Sequence, residues 1–272
     1  MKTVTDELGA SVAMPDEPKR LVSLVPSLSE ALWWFHVADR LVGVTDYCVA
    51  PPHGFPRAER VRGTKNPDVD AIVGLDPDLV IANEEENRRL DVERLRDAGV
   101  AVYVTAPRSV SDAAATLADV GGLVGQAKAG RGLAQSIERA LAQASRRRVE
   151  PPLDAFVPIW RDPWMATGRD TYAADLLEQC GFRVVPAVER YPELDLDAVA
   201  ATDPDVVLLP DEPYAFGEAD REAFDDWDVA VRLIDGTALT WYGPRTPQAI
   251  GDLVRLGRSL ARLQQRRRRR TQ

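Results

Sequence analysis

Aromatic side chains recur in the polar segments that follow apolar runs, and these are the residues best suited to hold a ligand. They are Tyr47, Trp160, Trp164, Tyr172, Tyr214, Phe216, Trp241 and Tyr242. Tyrosine and tryptophan combine a large contact area with one polar atom. Small-molecule sites are mostly apolar and carry a few polar groups. The pattern therefore predicts a site for a bulky, partly apolar ligand, although about half of these side chains could instead pack their own loops.

Arginines accompany the aromatic segments. They are Arg108, Arg161, Arg169 and Arg245. A guanidinium group binds carboxylate or phosphate through two parallel hydrogen bonds. We assign Arg245 to the predicted ligand site, and the alternative for all four is an ion pair with a nearby acid.

Two acidic segments also follow apolar runs. The first contains Glu84, Glu85 and Glu86, and Glu212 occupies the equivalent place in the second half of the chain. Paired acidic loops suit a basic protein partner, so these four residues are predicted to dock one. The alternatives are a hard cation held by carboxylates and a solvated loop with acids near a helix N-terminus.

Motifs for catalysis are missing from the sequence. There is no GxGxxG, GxxxxGK[ST], GxSxG or HExxH. His36 and His53 are not spaced as metal ligands. Cys48 and Cys180 form no CxxC pair, so both are expected to be free, buried thiols. We therefore expect a protein that is not an enzyme, without metal or covalent cofactor. The rival hypothesis is an enzyme or metallochaperone that uses Asp46, Glu84–Glu86 and Asp211.

Charge and hydropathy narrow the class of protein further. The formal net charge of -9 argues against nucleic-acid binding, and the basic run Arg266–Arg270 is expected to be a solvated tail. No apolar run is long enough to span a membrane. The first twenty residues contain no apolar core of a secretory leader. This predicts a cytoplasmic location, or an extracytoplasmic one if a leader has been removed.

Alternating strand and helix patterns position these residues. The segment from Asp68 to Ile81 matches the segment from Asp195 to Leu208, each reading as helix, Asp-Pro-Asp turn and buried strand. Such alternation favours parallel sheets. Ligands of open parallel sheets bind beyond the carboxyl ends of the strands. The predicted organisation is an α/β lobe over residues 1–126, a bridging helix within 127–150 and a second α/β lobe over 151–272.

Local patterns give two helix ends. Ser27 with Glu30 has the spacing of a capping box. The bridging helix has apolar residues at helical spacing and is predicted from Ala127 to Arg148, with Gly130 and Gly132 weakening its first turn.

Several longer segments resemble the helical-backbone (class III) substrate-binding proteins of ABC importers, which carry cobalamin, ferric siderophores and haem. The segments are Arg20–Leu32 (RLVSLVPSLSEAL), Val42–Cys48 (VGVTDYC), Leu75–Asn83 (LDPDLVIAN), Pro163–Gly181 (PWMATGRDTYAADLLEQCG) and Trp241–Pro247 (WYGPRTP). The resemblance implies two Rossmann-like lobes with central parallel sheets joined by a single long backbone helix. It also implies that Tyr47, Trp164 and Trp241 line the ligand cleft between the lobes.

The functional expectation follows from the resemblance and the aromatic loops together. We expect a non-catalytic, monomeric binding protein that holds a corrinoid such as cobalamin, or a similar metal chelate, as transported ligand. Its partner is expected to be an ABC transporter permease. A ferric siderophore or haem is the alternative ligand, and a cytoplasmic chaperone or sensor without a transporter is the alternative role. The ligand-contacting residues are predicted to be Tyr47, Trp160, Trp164, Tyr172, Tyr214, Trp241, Tyr242 and Arg245.

Overall fold

The computed structural model describes the backbone of residues 1–270 and the side chains of residues 1–265. The side chains of the basic run Arg266–Arg270 therefore lie outside the described residues. The strands are β1 (Lys2–Thr5), β2 (Ser11–Met14), β3 (Leu21–Ser23), β4 (Leu41–Val44), β5 (Glu59–Arg60), β6 (Arg62–Gly63), β7 (Asn66–Pro67), β8 (Leu79–Asn83), β9 (Val102–Thr105), β10 (Leu153–Phe156), β11 (Pro158–Trp160), β12 (Met165–Ala166), β13 (Phe182–Val184), β14 (Val206–Pro210) and β15 (Ala230–Ile234).

Helices alternate with the strands over most of the chain. They are α1 (Pro26–Trp34), α2 (Val69–Gly74), α3 (Arg89–Asp97), α4 (Val110–Leu123), α5 (Ala127–Ala144), α6 (Tyr172–Gln179), α7 (Leu196–Ala200), α8 (Thr237–Thr240) and α9 (Thr246–Arg270), with 3₁₀ turns at Ala38–Arg40 and Glu218–Phe224. None of the helices within the described residues is long and apolar enough to cross a membrane.

The chain forms two compact units, each built around a parallel sheet. Unit 1 comprises 1–107, 114–135 and 242–244, and its five-stranded sheet has the order β5-β4-β3-β8-β9. Unit 2 comprises 108–113, 136–241 and 245–272, and its four-stranded sheet has the order β13-β10-β14-β15. The strands of both sheets pair in parallel. The predicted α/β class with two parallel-sheet lobes is confirmed.

The central strands are buried on both faces, as parallel strands covered by helices must be. All residues of β3, β8 and β14 are buried. β8 and β14 are the buried strands predicted in the internal repeat. The polar N-terminal segment forms the antiparallel hairpin β1–β2, and Cys48 and Cys180 are free and buried, as expected.

The internal repeat has a structural explanation. Asp68 caps α2 by accepting the amide of Ala71 at 3.1 Å, and Asp195 caps α7 by accepting the amides of Asp197 and Ala198. Capping by aspartate satisfies amides that lack a partner within the helix. The two copies therefore use the same residue to begin the same helix.

The final aspartate of each Asp-Pro-Asp turn ties its strand to the neighbouring strand. The Asp78 carboxylate accepts the amides of Lys19 and Arg20, just before β3, at 2.6 and 2.9 Å. Asp205 accepts the amide of Asp154, in β10, at 2.8 Å. The repeated carboxylate thus fixes the start of the central strand pair in each unit.

Two predicted helix ends differ from the structure. α1 begins at Pro26 with Val25 as its N-cap and no side-chain cap, because a proline at the first helical position already suits the helix start. Because Ser27 lies inside the first turn rather than at the N-cap, its capping box with Glu30 does not form. The Ser29 hydroxyl donates to the Val25 carbonyl at 3.0 Å. α5 ends at Ala144 rather than at Arg148, with a turn closed by the Arg148 amide on the Ala144 carbonyl.

Glycine in α5 serves packing. A Cβ atom on Gly130 would lie 2.8 Å from the Leu117 carbonyl oxygen and 3.0 Å from that of Ala118, both in α4. Gly121 of α4 approaches Gly130 equally closely. Gly132, two residues further on, has nothing within 4 Å of a Cβ position. The α4–α5 contact in unit 1 therefore depends on Gly130 and not on Gly132.

These two glycines form a matched pair for a stability measurement. Gly130→Ala should lower the free energy of unfolding by about 1–3 kcal/mol, because the added methyl meets backbone atoms that cannot move alone. Gly132→Ala should raise it by up to about 1 kcal/mol through helix propensity. Urea unfolding of both variants measures the difference, and equal effects at the two positions would contradict the packing role.

Candidate functional site

A group of aromatic rings in unit 2 lies at the end of β11 and in the segments that follow β11 and β14. The Trp160 ring contacts Tyr214 edge-to-face with centroids 5.6 Å apart, and Tyr214 contacts Phe216 at 4.6 Å. Phe216 stacks on Trp164 at 5.9 Å with an interplanar angle of 7°. We call Trp160, Tyr214, Phe216 and Trp164 the aromatic array. Trp160 is 45% exposed, whereas Phe216 is 4% exposed, so the array has a solvent end and a core end.

The core end of the array packs against further aromatic rings in the interior of unit 2. Trp164 packs edge-to-face on Phe224 at 5.6 Å, and Phe224 packs on Trp227 at 5.0 Å. Phe156 of β10 contacts both Phe224 and Trp227. Each such ring pair contributes about 0.5–1.5 kcal/mol beyond burial. The array is consequently held rigidly, which lowers the entropy lost when a ligand stacks on it.

One arginine flanks the array. The Arg161 guanidinium lies 5.5 Å from the Trp164 ring centroid and donates to the Asp220 carboxylate at 2.6 Å. The Gly217 amide and Arg161 hold the pKa of Asp220 below its ordinary value. An ionised Asp220 fixes Arg161 beside the ring face, so the guanidinium lines the same surface as the array.

Trp241 belongs to a separate polar cluster after β14 and β15. The Arg245 guanidinium lies 4.9 Å from the Trp241 ring centroid and donates to the Thr237 hydroxyl at 2.6 Å. Glu212 accepts hydrogen bonds from the Thr240 hydroxyl at 2.8 Å and from the Trp241 side chain. Trp241 is 8% exposed, so it offers a ligand one edge or a small part of one face.

Tyr172 and Tyr242 are interior residues. The Tyr172 hydroxyl lies 3.3 Å from that of Thr246, and burial raises the Tyr172 pKa far above its ordinary value. The Tyr242 hydroxyl accepts from Asn83 at 3.1 Å and lies 3.2 Å from the Thr105 hydroxyl; burial raises its pKa as well. Both phenols stay neutral and serve as hydrogen-bonding groups of their own units.

Tyr47 is the exposed aromatic residue of unit 1 among the predicted ligand contacts. It follows β4, and 62% of its surface is exposed. Its ring packs on Gly63, where a Cβ atom would lie 3.2 Å from the Tyr47 ring. Arg60 donates to the carbonyls of Thr45 and Cys48 on either side of it. The loop is therefore fixed while the phenol projects into solvent.

The acidic loop after β8 is well ordered. Asn83 accepts the amides of Glu85 and Glu86 through its side-chain oxygen, and the Glu84 amide donates to the Thr105 carbonyl at 2.9 Å. Lys65 donates to the Glu85 carbonyl. Glu84 is exposed, while Glu85 and Glu86 are half-buried. Glu84 is thus the residue of this loop most accessible to a partner.

The structure groups the predicted residues of unit 2 into two sets. Trp160, Trp164 and Tyr214 share the array, and Trp241 and Arg245 share the polar cluster. Sequence reasoning missed Asp220 and Thr240, which fix Arg161 and Glu212. Asp220 lies 59 residues from Arg161, and no local pattern links them. Within the described residues, no group of three or more histidine, cysteine, aspartate or glutamate side chains could hold a metal ion.

Comparison with known proteins identifies similar chains. An uncharacterised ABC transporter substrate-binding lipoprotein, YvrC of Bacillus subtilis, is 26% identical over 265 residues, covering 93% of this chain and 84% of that protein. A cobalamin-binding protein of Halobacterium salinarum is 30% identical over 216 residues. This match covers 76% of the chain and 58% of the Halobacterium protein.

Solved structures share the fold. The apo periplasmic haem-binding protein RhuT from Roseiflexus sp. RS-1 has a TM-score of 0.79 at 25% identity, covering 89% of this chain and 99% of that one. The periplasmic vitamin B12-binding protein BtuF of Vibrio cholerae has a TM-score of 0.78 at 20% identity, with coverage of 91% and 99%. These likenesses confirm the resemblance to class III binding proteins.

The relatives overturn the predicted cytoplasmic location. The Bacillus protein is a lipoprotein, and the Roseiflexus and Vibrio proteins are periplasmic. These relatives are extracytoplasmic proteins, so the cytoplasmic prediction is wrong. It rested on the lack of a leader pattern, and a leader is not part of the mature fold.

The family model agrees with the relatives. The family described as periplasmic binding protein matches residues 21–226, from β3 in unit 1 to beyond the 3₁₀ turn in unit 2. The relatives named above are a substrate-binding lipoprotein of an ABC transporter and proteins that bind cobalamin, haem or vitamin B12. This chain therefore belongs to the periplasmic binding protein family and is a solute-binding protein.

Proposed function

We propose that the protein binds a corrinoid, in the manner of a cobalamin-binding protein, and delivers it unchanged to an ABC transporter. The observation that carries the proposal is the aromatic array, with Trp160 exposed at one end and Arg161 fixed beside Trp164. A corrin ring with its amide side chains presents an apolar edge and many hydrogen-bonding groups. Stacked aromatic rings with one adjacent guanidinium match that chemistry.

The relatives support the same ligand class. The Halobacterium protein is named for cobalamin and the Vibrio protein for vitamin B12. The ligand contacts proposed in unit 2 are Trp160, Trp164, Tyr214, Trp241 and Arg245, and Tyr47 is the ligand contact proposed in unit 1. Tyr172 and Tyr242 are proposed to support these contacts from the interior rather than to touch the ligand.

Haem is the second candidate, and Tyr47 is the specific observation that favours it. Its phenol is exposed on a fixed loop, as an axial ligand to ferric iron must be. The Roseiflexus protein is named for haem. Cobalamin already carries axial ligands on its cobalt, so it would use Tyr47 only for packing. The two candidates therefore differ in what they require of the phenol oxygen.

A titration with cyanocobalamin, ferric haem and a ferric siderophore tests the proposal. Isothermal titration calorimetry should give a saturable isotherm with cyanocobalamin at micromolar or lower Kd. A saturable isotherm with haem or the siderophore alone would replace the corrinoid by that ligand. Absence of binding to all three ligands would remove the ligand class from the proposal and leave the family assignment intact.

Tyr47→Phe separates the two leading ligands. If haem is the ligand, the variant should lose the absorption bands of a phenolate-iron complex and bind at least tenfold more weakly, because the iron loses a ligand. Cyanocobalamin affinity should change by less than about threefold, since the ring is retained. Haem spectra that are identical for the variant and the wild type would exclude Tyr47 as an iron ligand.

Docking to the transporter is proposed to involve Glu84 and to proceed from a monomer. Glu84 is exposed on an ordered loop, and a rim charge chiefly affects the association rate and its salt dependence. Light scattering gives the oligomeric state directly. Binding of Glu84→Lys to transporter in nanodiscs should be slower than wild type at low salt, and an unchanged rate would remove Glu84 from the docking surface.

A further inference from the structure

Glu212 does not occupy the solvent-facing position expected of a docking residue. Its carboxylate accepts the Thr240 hydroxyl at 2.8 Å and the Trp241 side chain. The indole N–H is the only hydrogen-bond donor of a tryptophan side chain. One carboxylate therefore holds the edge of the Trp241 ring and the residue before it.

The backbone around Glu212 is closely packed. A Cβ atom on Gly236 would lie 2.5 Å from the Glu212 Cγ atom and 2.7 Å from its amide nitrogen. The Gly236 amide in turn donates to the Asp211 carboxylate at 2.7 Å. The loops after β14 and β15 are thus interlocked at Glu212, which gives its side chain little freedom to turn outward.

Two further carboxylates and one guanidinium lie in the same cluster as Glu212. Asp211 and Asp235 lie near enough to oppose ionisation of Glu212. Asp235 accepts the Thr237 hydroxyl at 2.6 Å, and Arg245 donates to the same hydroxyl while facing the Trp241 ring. Trp241 therefore has a carboxylate at its edge and a guanidinium over its face.

We infer that Glu212 is a positioning residue of the ligand site, whose ionised carboxylate orients Trp241 through the indole N–H and Thr240. An ionised acceptor makes hydrogen bonds roughly twice as strong as a neutral one. Protonation converts one carboxylate oxygen into a donor, and the indole N–H cannot accept a hydrogen bond. Trp241 is then held less firmly, so ligand capture weakens at low pH. The effect on ligand rests on the proposed function, whereas the effect on Trp241 does not.

Ionisation of Glu212 should lower the stability of the fold and strengthen ligand binding. Burial, and then the nearby Asp211 and Asp235, raise the pKa of Glu212 above its ordinary value of 4.5. A carboxyl whose pKa is raised in the folded state favours folding when protonated, and that contribution is lost as the pH rises through the folded-state value. The charged form needed to hold Trp241 is therefore the less stable form of the fold.

Glu212→Gln tests this combination. At pH 7 the variant should bind cyanocobalamin, or haem if that is the ligand, about fivefold more weakly, because neutral hydrogen bonds replace charge-assisted ones. Its Tm at pH 7 should equal or exceed that of the wild type. Wild-type affinity should fall as the pH drops toward 4.5, and the affinity of the variant should not follow. A residue that only stabilises the fold would lower Tm and affinity together.

A ligand-free measurement keeps the inference independent of the proposed function. Tryptophan emission of the apo protein is recorded between pH 4 and 8 for the wild type, Glu212→Gln, Trp241→Phe and the control Glu218→Gln, an exposed glutamate in unit 2. The wild type and the control should show one pH transition, which the other two variants lack. A transition that persists in Glu212→Gln would overturn the inference. Failure of every ligand to bind, with the transition intact, would remove the proposed ligand and leave the positioning role.

Discussion

Asp6→Ala should lower the free energy of unfolding by about 3 kcal/mol, because it removes a fully buried carboxylate that pairs with the partly buried Arg96 guanidinium and accepts backbone amides. The Asp6 side chain is fully buried and accepts the Arg96 guanidinium at 2.6 Å. It also accepts the amides of Leu8 and Ala10 at 3.1 and 2.7 Å. The Val104 amide of β9 also donates to it at 3.4 Å, so removing the carboxylate leaves four donors without this acceptor. The hairpin β1–β2 then loses its links through Asp6 to the rest of unit 1 and keeps those of Glu7 to Ala106 and Thr116.

Asp16 provides the matched control on the same hairpin segment. It pairs with the N-terminal ammonium at 3.0 Å, and both groups are 73% exposed. Exposed ion pairs contribute little, so Asp16→Ala should change the free energy of unfolding by less than about 0.5 kcal/mol. Urea unfolding at pH 7 measures both variants. Asp6→Ala within 0.5 kcal/mol of the wild type would show that the hairpin does not depend on this pair.

Trp160→Ala should weaken ligand binding at least tenfold, and about 30-fold if Trp160 is a binding hot spot. The ring is 45% exposed at the solvent end of the aromatic array and touches Tyr214 edge-to-face. Its removal takes away the accessible stacking surface, while the anchored rings Trp164 and Phe216 stay in place. The cost to stability should be about 1 kcal/mol, because half of the ring is already in water.

Trp33 is the matched control for this change. It lies in α1, outside the aromatic segments, and is 43% exposed. Trp33→Ala should leave the Kd for cyanocobalamin or haem unchanged within about twofold while removing a comparable exposed surface. Calorimetry on both variants with the same ligand makes the comparison. Equal losses of affinity, or none in either variant, would remove the array from the ligand site.

The sequence predicted most of the secondary structure that positions the site. Buried apolar runs such as β3 and β8 and aspartate caps such as Asp68 depend on residues close together in the chain. The strand β13 and the short helix α8 were missed, since three or four residues give too little periodicity to recognise. The end of α5 was placed too late, because the arginines that suit a helix terminus also suit a turn.

Some predicted site residues have the exposure that their local sequence indicates, whereas others are buried by residues distant in the chain. Tyr47 and Trp160 are exposed, as residues of polar segments after strands are expected to be. Tyr172 and Tyr242 were predicted from residue type in the same way, yet their hydroxyls are buried against Thr246 and Asn83. Their roles as ligand contacts stay predictions, and the burial favours a supporting role.

The sequence by itself determined that this chain is a two-unit α/β protein of a solute-binding family. Helix caps, buried strands and motif segments each depend on residues that are close together in the chain. Only the tertiary structure decided what the charged and aromatic side chains contact. Glu212 meets Thr240 across 28 residues, and Arg161 meets Asp220 across 59. Such partners are chosen by the packing of whole loops after different strands, and that packing follows from the fold rather than from the spacing of residues along the chain.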